Sequence, residues 1–127
     1  MARTALLLIA LTLAMPASRC WADEFAALVT LVMDGESMRV QYQRSGKLKQ
    51  DMCRLMRYNA PHAKGPARAE GIRARQKLAH LISNKNVTIK TSARDSHQRL
   101  LCEVWLPDGR SVNDLMRDPH PSAQHHK

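Results

Sequence analysis

Cys53-Arg54-Leu55-Met56-Arg57-Tyr58-Asn59-Ala60-Pro61-His62 is the stretch on which the reading of this chain turns. Cys53 and Leu55 alternate with Arg54 and Met56, which predicts a strand with one face in a core, and Pro61 closes the loop by which the chain leaves it. An arginine held on such a strand is well placed to bind phosphate.

Upstream, an apolar run at 26–33 with Leu28, Val29, Leu31 and Val32 predicts a first strand. Asp34-Gly35 then turns into a second strand, where Met38, Val40 and Tyr42 alternate with Arg39 and Gln41. Asp-Gly is a common hairpin turn in its own right. Arg44-Ser45-Gly46 marks the turn into the stretch quoted above. Downstream, Lys64-Gly65-Pro66 breaks the chain, and Ala74, Leu78, Leu81 and Ile82 recur at helical spacing within 67–83. Val87 and Ile89 alternate with Thr88 and Lys90 in a fourth strand. After a polar connection, 100–106 reads as a fifth, and Ser111 is placed to cap a short helix through Val112, Asn113, Leu115 and Met116.

Together, several of these stretches resemble the staphylococcal nuclease (thermonuclease) family. Its strand and loop run Arg-Leu, about three residues, then Asp-(Thr/Ala)-Pro-Glu; here Arg54, Leu55, Ala60 and Pro61 match, with Asn59 and His62 in place of the two acids. Its Asp-Gly-Asp-Thr turn stands as Asp34-Gly35-Glu36-Ser37. The second half of its pattern is met by Asp95, Arg99, Cys102, Val104, the Asp108-Gly109 turn and Val112-Asn113, with His97-Gln98 where the family has Tyr-Gly. The resemblance implies an α+β, mainly β fold: a five-stranded oligonucleotide/oligosaccharide-binding barrel, with one main helix between strands 3 and 4 and a short C-terminal helix.

It also implies chemistry. Hydrolysing a phosphodiester of DNA or RNA requires cations on the phosphate and activation of a water molecule. By resemblance, Arg54 and Arg99 grip the phosphate, Glu36 and Asn59 are the calcium-binding positions, and His62 stands where the family has the glutamate that activates or orients water. Glu36 keeps a hard oxygen donor, whereas Asn59 removes a negative charge, so weak calcium binding is expected. A histidine can act as general base at neutral pH, so His62 does not by itself abolish catalysis. An exported nuclease of low or lost activity is the first expectation. A non-catalytic nucleic-acid-binding barrel that keeps the basic surface is the alternative. Simpler explanations of the same residues are surface arginines pairing with Asp51, Glu36 or Glu103, and a loop histidine without catalytic duty. Few aromatics beyond Phe25, Tyr42, Tyr58 and Trp105 are available for base stacking, which leaves protein interaction as a third function.

The ends of the chain read differently from its middle. Arg3, the apolar run from Ala5 to Ala14 and the small-x-small Cys20-Trp21-Ala22 predict a signal peptide over 1–22, hence a periplasmic or secreted protein with no stable membrane insertion after cleavage. A lipoprotein lipidated at Cys20 and an uncleaved anchor are the rival readings. The nuclease-like domain is expected over 23–117 as a monomer, and 118–127 as a disordered polar tail shorter than the family's C-terminal continuation. Tail residues His120, His125 and His126 lack the Cys/His spacing of a structural zinc site.

Of 20 Lys and Arg, Arg3 and Arg19 leave with the signal peptide, so 18 remain against 11 acids, a net charge of +7. That surplus favours polyanions such as nucleic acid, although an anionic membrane surface or a merely solvated basic face fits charge alone. Cleavage also removes Cys20. Cys53 and Cys102 remain, both on inward-facing strand positions, and predict a disulfide if their strands are neighbours. It would close a loop of about 50 residues and stabilise the fold by roughly 4 kcal/mol. Two buried reduced thiols are the alternative.

Overall fold

The computed structural model describes residues 21–118, so nearly all of the expected signal peptide and the tail from residue 119 lie outside the described residues. Five strands form a closed barrel in the order β1 (Asp23–Val32), β2 (Ser37–Arg44), β3 (Lys47–Leu55), β5 (Leu100–Trp105), β4 (Asn86–Arg94). The main helix, α1 (Arg68–Ile82), lies between β3 and β4 in sequence and follows a 3-10 turn at Gly65–Ala67, while α2 (Val112–Arg117) follows β5. This is the expected oligonucleotide/oligosaccharide-binding architecture.

Closure depends on two features. One strand serves two neighbours: β1 pairs β4 through Asp23 to Leu28 and β2 from Leu28 to Val32, with a register shift between Val29 and Leu31 that bends it. The second is a parallel join, in which Cys53, Arg54 and Leu55 of β3 face Leu100, Leu101 and Cys102 of β5. That short join brings the residue before β5 beside the end of β3. It is the pairing that assembles the site.

The alternation read from sequence is present on the barrel's inner face, where Val29, Met38, Val40, Cys53, Leu55, Ile89, Cys102 and Val104 are all but fully buried. Helix α1 closes one end with Ala74, Leu78 and Ile82, and Leu81 packs at the edge of the core. Complete burial of Leu78 and Ile82 contributes about 1.5–3 kcal/mol each. Ser111 caps α2, its Oγ accepting from Asp114 N at 3.2 Å. Two strands run longer than their patterns predict. Strand β1 begins at Asp23 because its first half has a partner in β4, and β4 continues to Arg94 across a register shift between Thr91 and Ala93. Buried Thr91 satisfies its hydroxyl there on the carbonyls of Leu101, at 2.7 Å, and Ala93, at 3.2 Å.

Two glycines set how closely the loops lie on α1. A Cβ on Gly35 would fall 2.6 Å from Ala74 Cβ and 2.8 Å from Ala60 Cβ; one on Gly71 would fall 2.4 Å from Ala63 N. The β1–β2 turn and the loop after β3 therefore rest against the helix at positions where no side chain fits. Among the described residues no helix is long and apolar enough to cross a membrane.

Candidate functional site

The site is built from the β1–β2 turn outward. Asp34 Oδ1 accepts from Glu36 N at 2.8 Å, a side-chain turn that fixes the backbone over Gly35. Ser37 then pairs directly with Arg54 across β2 and β3, and Leu55 N donates to Glu36 O at 2.8 Å. The Glu36 carboxylate is thereby delivered to the end of β3. Its Oε2 lies 3.5 Å from Arg54 Nη2 and accepts from Ala60 N at 3.1 Å. Arg54 Nη2 also donates to Asn59 Oδ1 at 2.7 Å, whereas Arg54 Nε is buried without a hydrogen-bond partner. Glu36, Arg54 and Asn59 are thus one cluster, as the family resemblance implies.

Arg99 enters the same cluster from the position just before β5. Asp95 Oδ1 accepts from the backbone N–H groups of His97, at 2.8 Å, and Arg99, at 2.9 Å, while Oδ2 accepts from Arg99 Nε at 2.8 Å. The guanidinium then donates through Nη1 to Ser37 Oγ at 2.9 Å, next to Glu36 in the chain and opposite Arg54 in register. Burial pushes the Asp95 carboxyl up, but hydrogen bonds from the Arg99 backbone and side chain and from His97 N outweigh it and hold the group below the usual carboxylate range. The turn survives replacement of the family's glycine because Gln98 itself takes the left-handed backbone, at φ 64°. That conformation costs a non-glycine residue on the order of 1 kcal/mol.

Of the pairings considered as surface explanations, Arg54 does meet Glu36. Asp51 instead binds Tyr42 and Arg94, and Glu103 binds Arg57 and Ser111. Asp95, the true partner of Arg99, was readable only as part of the family pattern. His62 is exposed and lines a cleft of about 480 Å³ between the loop after β3, the β1–β2 turn and α1, together with Asp34, Glu36, Lys64, Arg68 and Arg75. A second hollow of about 250 Å³ is lined by Arg54 and Asn59 and walled by Met56, Tyr58 and Leu101. Burial, then the charge of Glu36, raises the Tyr58 hydroxyl above its ordinary value.

A residue that spacing alone does not single out holds the frame. Asn113 is fully buried; its Oδ1 accepts from Val104 N at 2.9 Å and its Nδ2 donates to Cys102 O at 2.8 Å and Met56 O at 3.1 Å. It ties α2 to β5 and to the chain leaving β3. Cys53 and Cys102 lie two residues out of register on the neighbouring strands β3 and β5, both buried and both free thiols in the structure. Hydrogen bonding with Cys53, then burial, pushes the Cys102 thiol up.

The chain from Met52 to Asp118 matches the model of the staphylococcal nuclease homologue family. The chain belongs to that family. It is also similar to two curated proteins named "Uncharacterized endonuclease", one from Escherichia coli O157:H7 and one from Escherichia coli, at 32% identity over 88 residues in each case. Those matches cover 69% of this chain and 53% of each relative, so the chain spans about half the length of the curated relatives it matches.

Calcium is the ion the family uses. Among the described residues no group of three or more Asp, Glu, His or Cys side chains converges on one point. Hard oxygens are nevertheless at hand in Glu36, Asn59 and Asp34, the first two already engaged by Arg54 and the third by Glu36 N. This donor set suits a weak site completed by water, not a dedicated cage.

Proposed function

We propose that the chain is an exported nuclease-like domain that holds a phosphodiester of DNA or RNA between Arg54 and Arg99 and hydrolyses it slowly. One observation carries the reading: Arg54 on β3 and Arg99 just before β5, far apart in sequence, converge on the consecutive residues Glu36 and Ser37. Only Nη2 of Arg54 and Nε and Nη1 of Arg99 are engaged among the described residues, so each guanidinium keeps donors for phosphate oxygens. Glu36 and His62 line the adjoining cleft, where an attacking water passes its proton to one of them. Calcium held by Glu36 and Asn59 would neutralise charge on the phosphate. The apolar wall of Tyr58, Met56 and Leu101 gives a base a surface beside Arg54.

Export supplies the oxidising compartment in which Cys53 and Cys102 would join. Their burial on the neighbouring strands β3 and β5 supports that pairing, which would brace the strand carrying Arg54.

A second reading rests on a different detail. Asn59 Oδ1 and Glu36 Oε2 are both turned inward on Arg54 or Ala60 N, the arrangement of a barrel that binds nucleic acid without cutting it. Purified chain incubated with labelled single-stranded DNA and RNA, with calcium or with chelator, separates the two. The nuclease reading expects calcium-stimulated cleavage that falls about 100-fold or more in Arg54→Ala and in Arg99→Ala. Salt-sensitive binding without cleavage in either condition would establish the binding module instead.

A further inference from the structure

Helix α1 carries Arg68, Arg73, Arg75 and Lys77 against one acid, Glu70. Arg68 and Arg75 are seven residues apart, which places them on the same helix face about 10 Å apart along the axis, with Ile72 between them. All three line the cleft that holds Glu36 and His62, and Lys64 faces them from the loop after β3. No side chain of Arg68, Arg75 or Lys64 makes a hydrogen bond or ion pair among the described residues. The acids of the cleft do not neutralise them, because Glu36 faces Arg54 and Asp34 caps Glu36 N. Unpaired cations on a convex surface are ordinary. These lie in a concavity held tight by Gly35 and Gly71, where a field is focused and a polyanion is drawn in.

Resting on the nuclease-like reading above, we infer that Lys64, Arg68 and Arg75 hold phosphates of the same nucleic-acid strand next to the one gripped by Arg54 and Arg99. The ligand is therefore a strand of several nucleotides, not a mononucleotide or a dinucleotide. The strand runs from the Arg54 hollow past Glu36 into the cleft against α1, and affinity rises with length until the cleft is filled.

Fluorescence anisotropy on the purified chain in chelator, across a salt series, tests this with a labelled twelve-nucleotide thymidine strand and a labelled dinucleotide. In Arg68→Gln/Arg75→Gln the salt slope for the long strand is expected to fall by about 1.4, at ~0.7 per lost phosphate contact, with affinity at low salt down at least tenfold. Dinucleotide binding and the thermal melt stay as in the parent. Arg73→Gln/Lys47→Gln removes the same charge outside the cleft and is expected to leave the slope unchanged. A double cleft variant that matches this control, or that loses the dinucleotide as well, overturns the inference. If Arg54→Ala and Arg99→Ala bind both ligands like the parent, the site reading beneath it is what fails. If those two weaken binding while the cleft variant does not, only the extended strand path is lost.

Discussion

The two walls of the site are held by different means. Arg99 is locked from behind: Asp95 takes its backbone N–H and its Nε, Ser37 receives its Nη1, and Asn113 pins the neighbouring β5 backbone from the core. The loop carrying Asn59 and His62 has little of this. Its first residues are anchored through Met56 and Arg57, but from Asn59 to Ala63 the contacts named above are Arg54 Nη2 on Asn59, Glu36 on Ala60 N, and the close approach to Gly35 and Gly71. Both residues that depart from the family's acids sit on that second wall. Changing an acid there disturbs no buried network, whereas any change behind Arg99 strands polar groups away from water. On the proposed reading, the phosphate grip is thus the costly part of the site to alter, and the water-activating part the cheap one.

The largest effect should come from attacking the first wall at its root. Asn113→Ala leaves Val104 N and Met56 O without the Asn113 side chain, leaves Cys102 O with Met56 N alone, and opens a cavity, which should cost roughly 3 kcal/mol or more. In a domain of this size that lowers Tm by more than about 10 °C in a thermal melt. A melt unchanged by Asn113→Ala would remove the contrast between the two walls. Gly71→Ala strikes the second wall instead. Alanine is the better helix former by about 1 kcal/mol, but its Cβ must displace the backbone at Ala63, so a net loss of about 1–2 kcal/mol is expected. Limited proteolysis should then show new cutting in the loop 59–64. Unaltered cutting and an unaltered melt would mean that the loop does not rest on the helix in solution.

The barrel was legible because apolar residues alternate along its inner face, and the residues singled out by the family pattern, Glu36, Arg54, Asn59 and Arg99, lie close together in the folded chain. What the sequence hid was close contact and partner choice. Asp34-Gly35 reads as a hairpin turn on dihedral grounds, yet the glycine is also required by Ala74 of the helix beneath it. Gly71, inside a helical run, looks like a weak helix residue until the loop lying on it is seen. Ser92 to Arg94 read as the start of a polar connection because Ser92 and Arg94 mask a strand edge paired with β5. Asn113 carries no signal of burial in its residue type. Its role depends on three backbone groups that only the folded chain brings together.

A gain of function sharpens the comparison from the other side. If the second wall is the cheap one, restoring its acids with Asn59→Asp and His62→Glu should fold normally and raise calcium-stimulated cleavage at least about tenfold, since both the metal charge and the base are supplied. Asn59→Asp also gives Arg54 a carboxylate in place of an amide oxygen now 2.7 Å away, a stronger hydrogen bond. A double variant that folds and binds strands but gains no calcium response would show that missing acids are not what limits the rate.

The smallest effect concerns pH and the Asp95 lock. Because the folded chain holds Asp95 below its ordinary pKa, its ionised form is favoured by folding. The contribution is therefore present above the unfolded value, about 3.9 for an aspartate, and is lost as pH falls through the lower folded value. Asp95→Asn lacks it at every pH, and its amide gives Arg99 Nε a neutral acceptor at best. The Tm difference between the parent and Asp95→Asn should accordingly stay constant from neutral pH down to the ordinary carboxylate range and narrow below it. Asp51 and Asp108, also held low, lose their contributions in both proteins and cancel in that difference. A gap that persists undiminished at the acid end would mean that the Asp95 side chain acts through shape alone, and the first wall would then owe its rigidity to Asn113 and the barrel join without help from this charge.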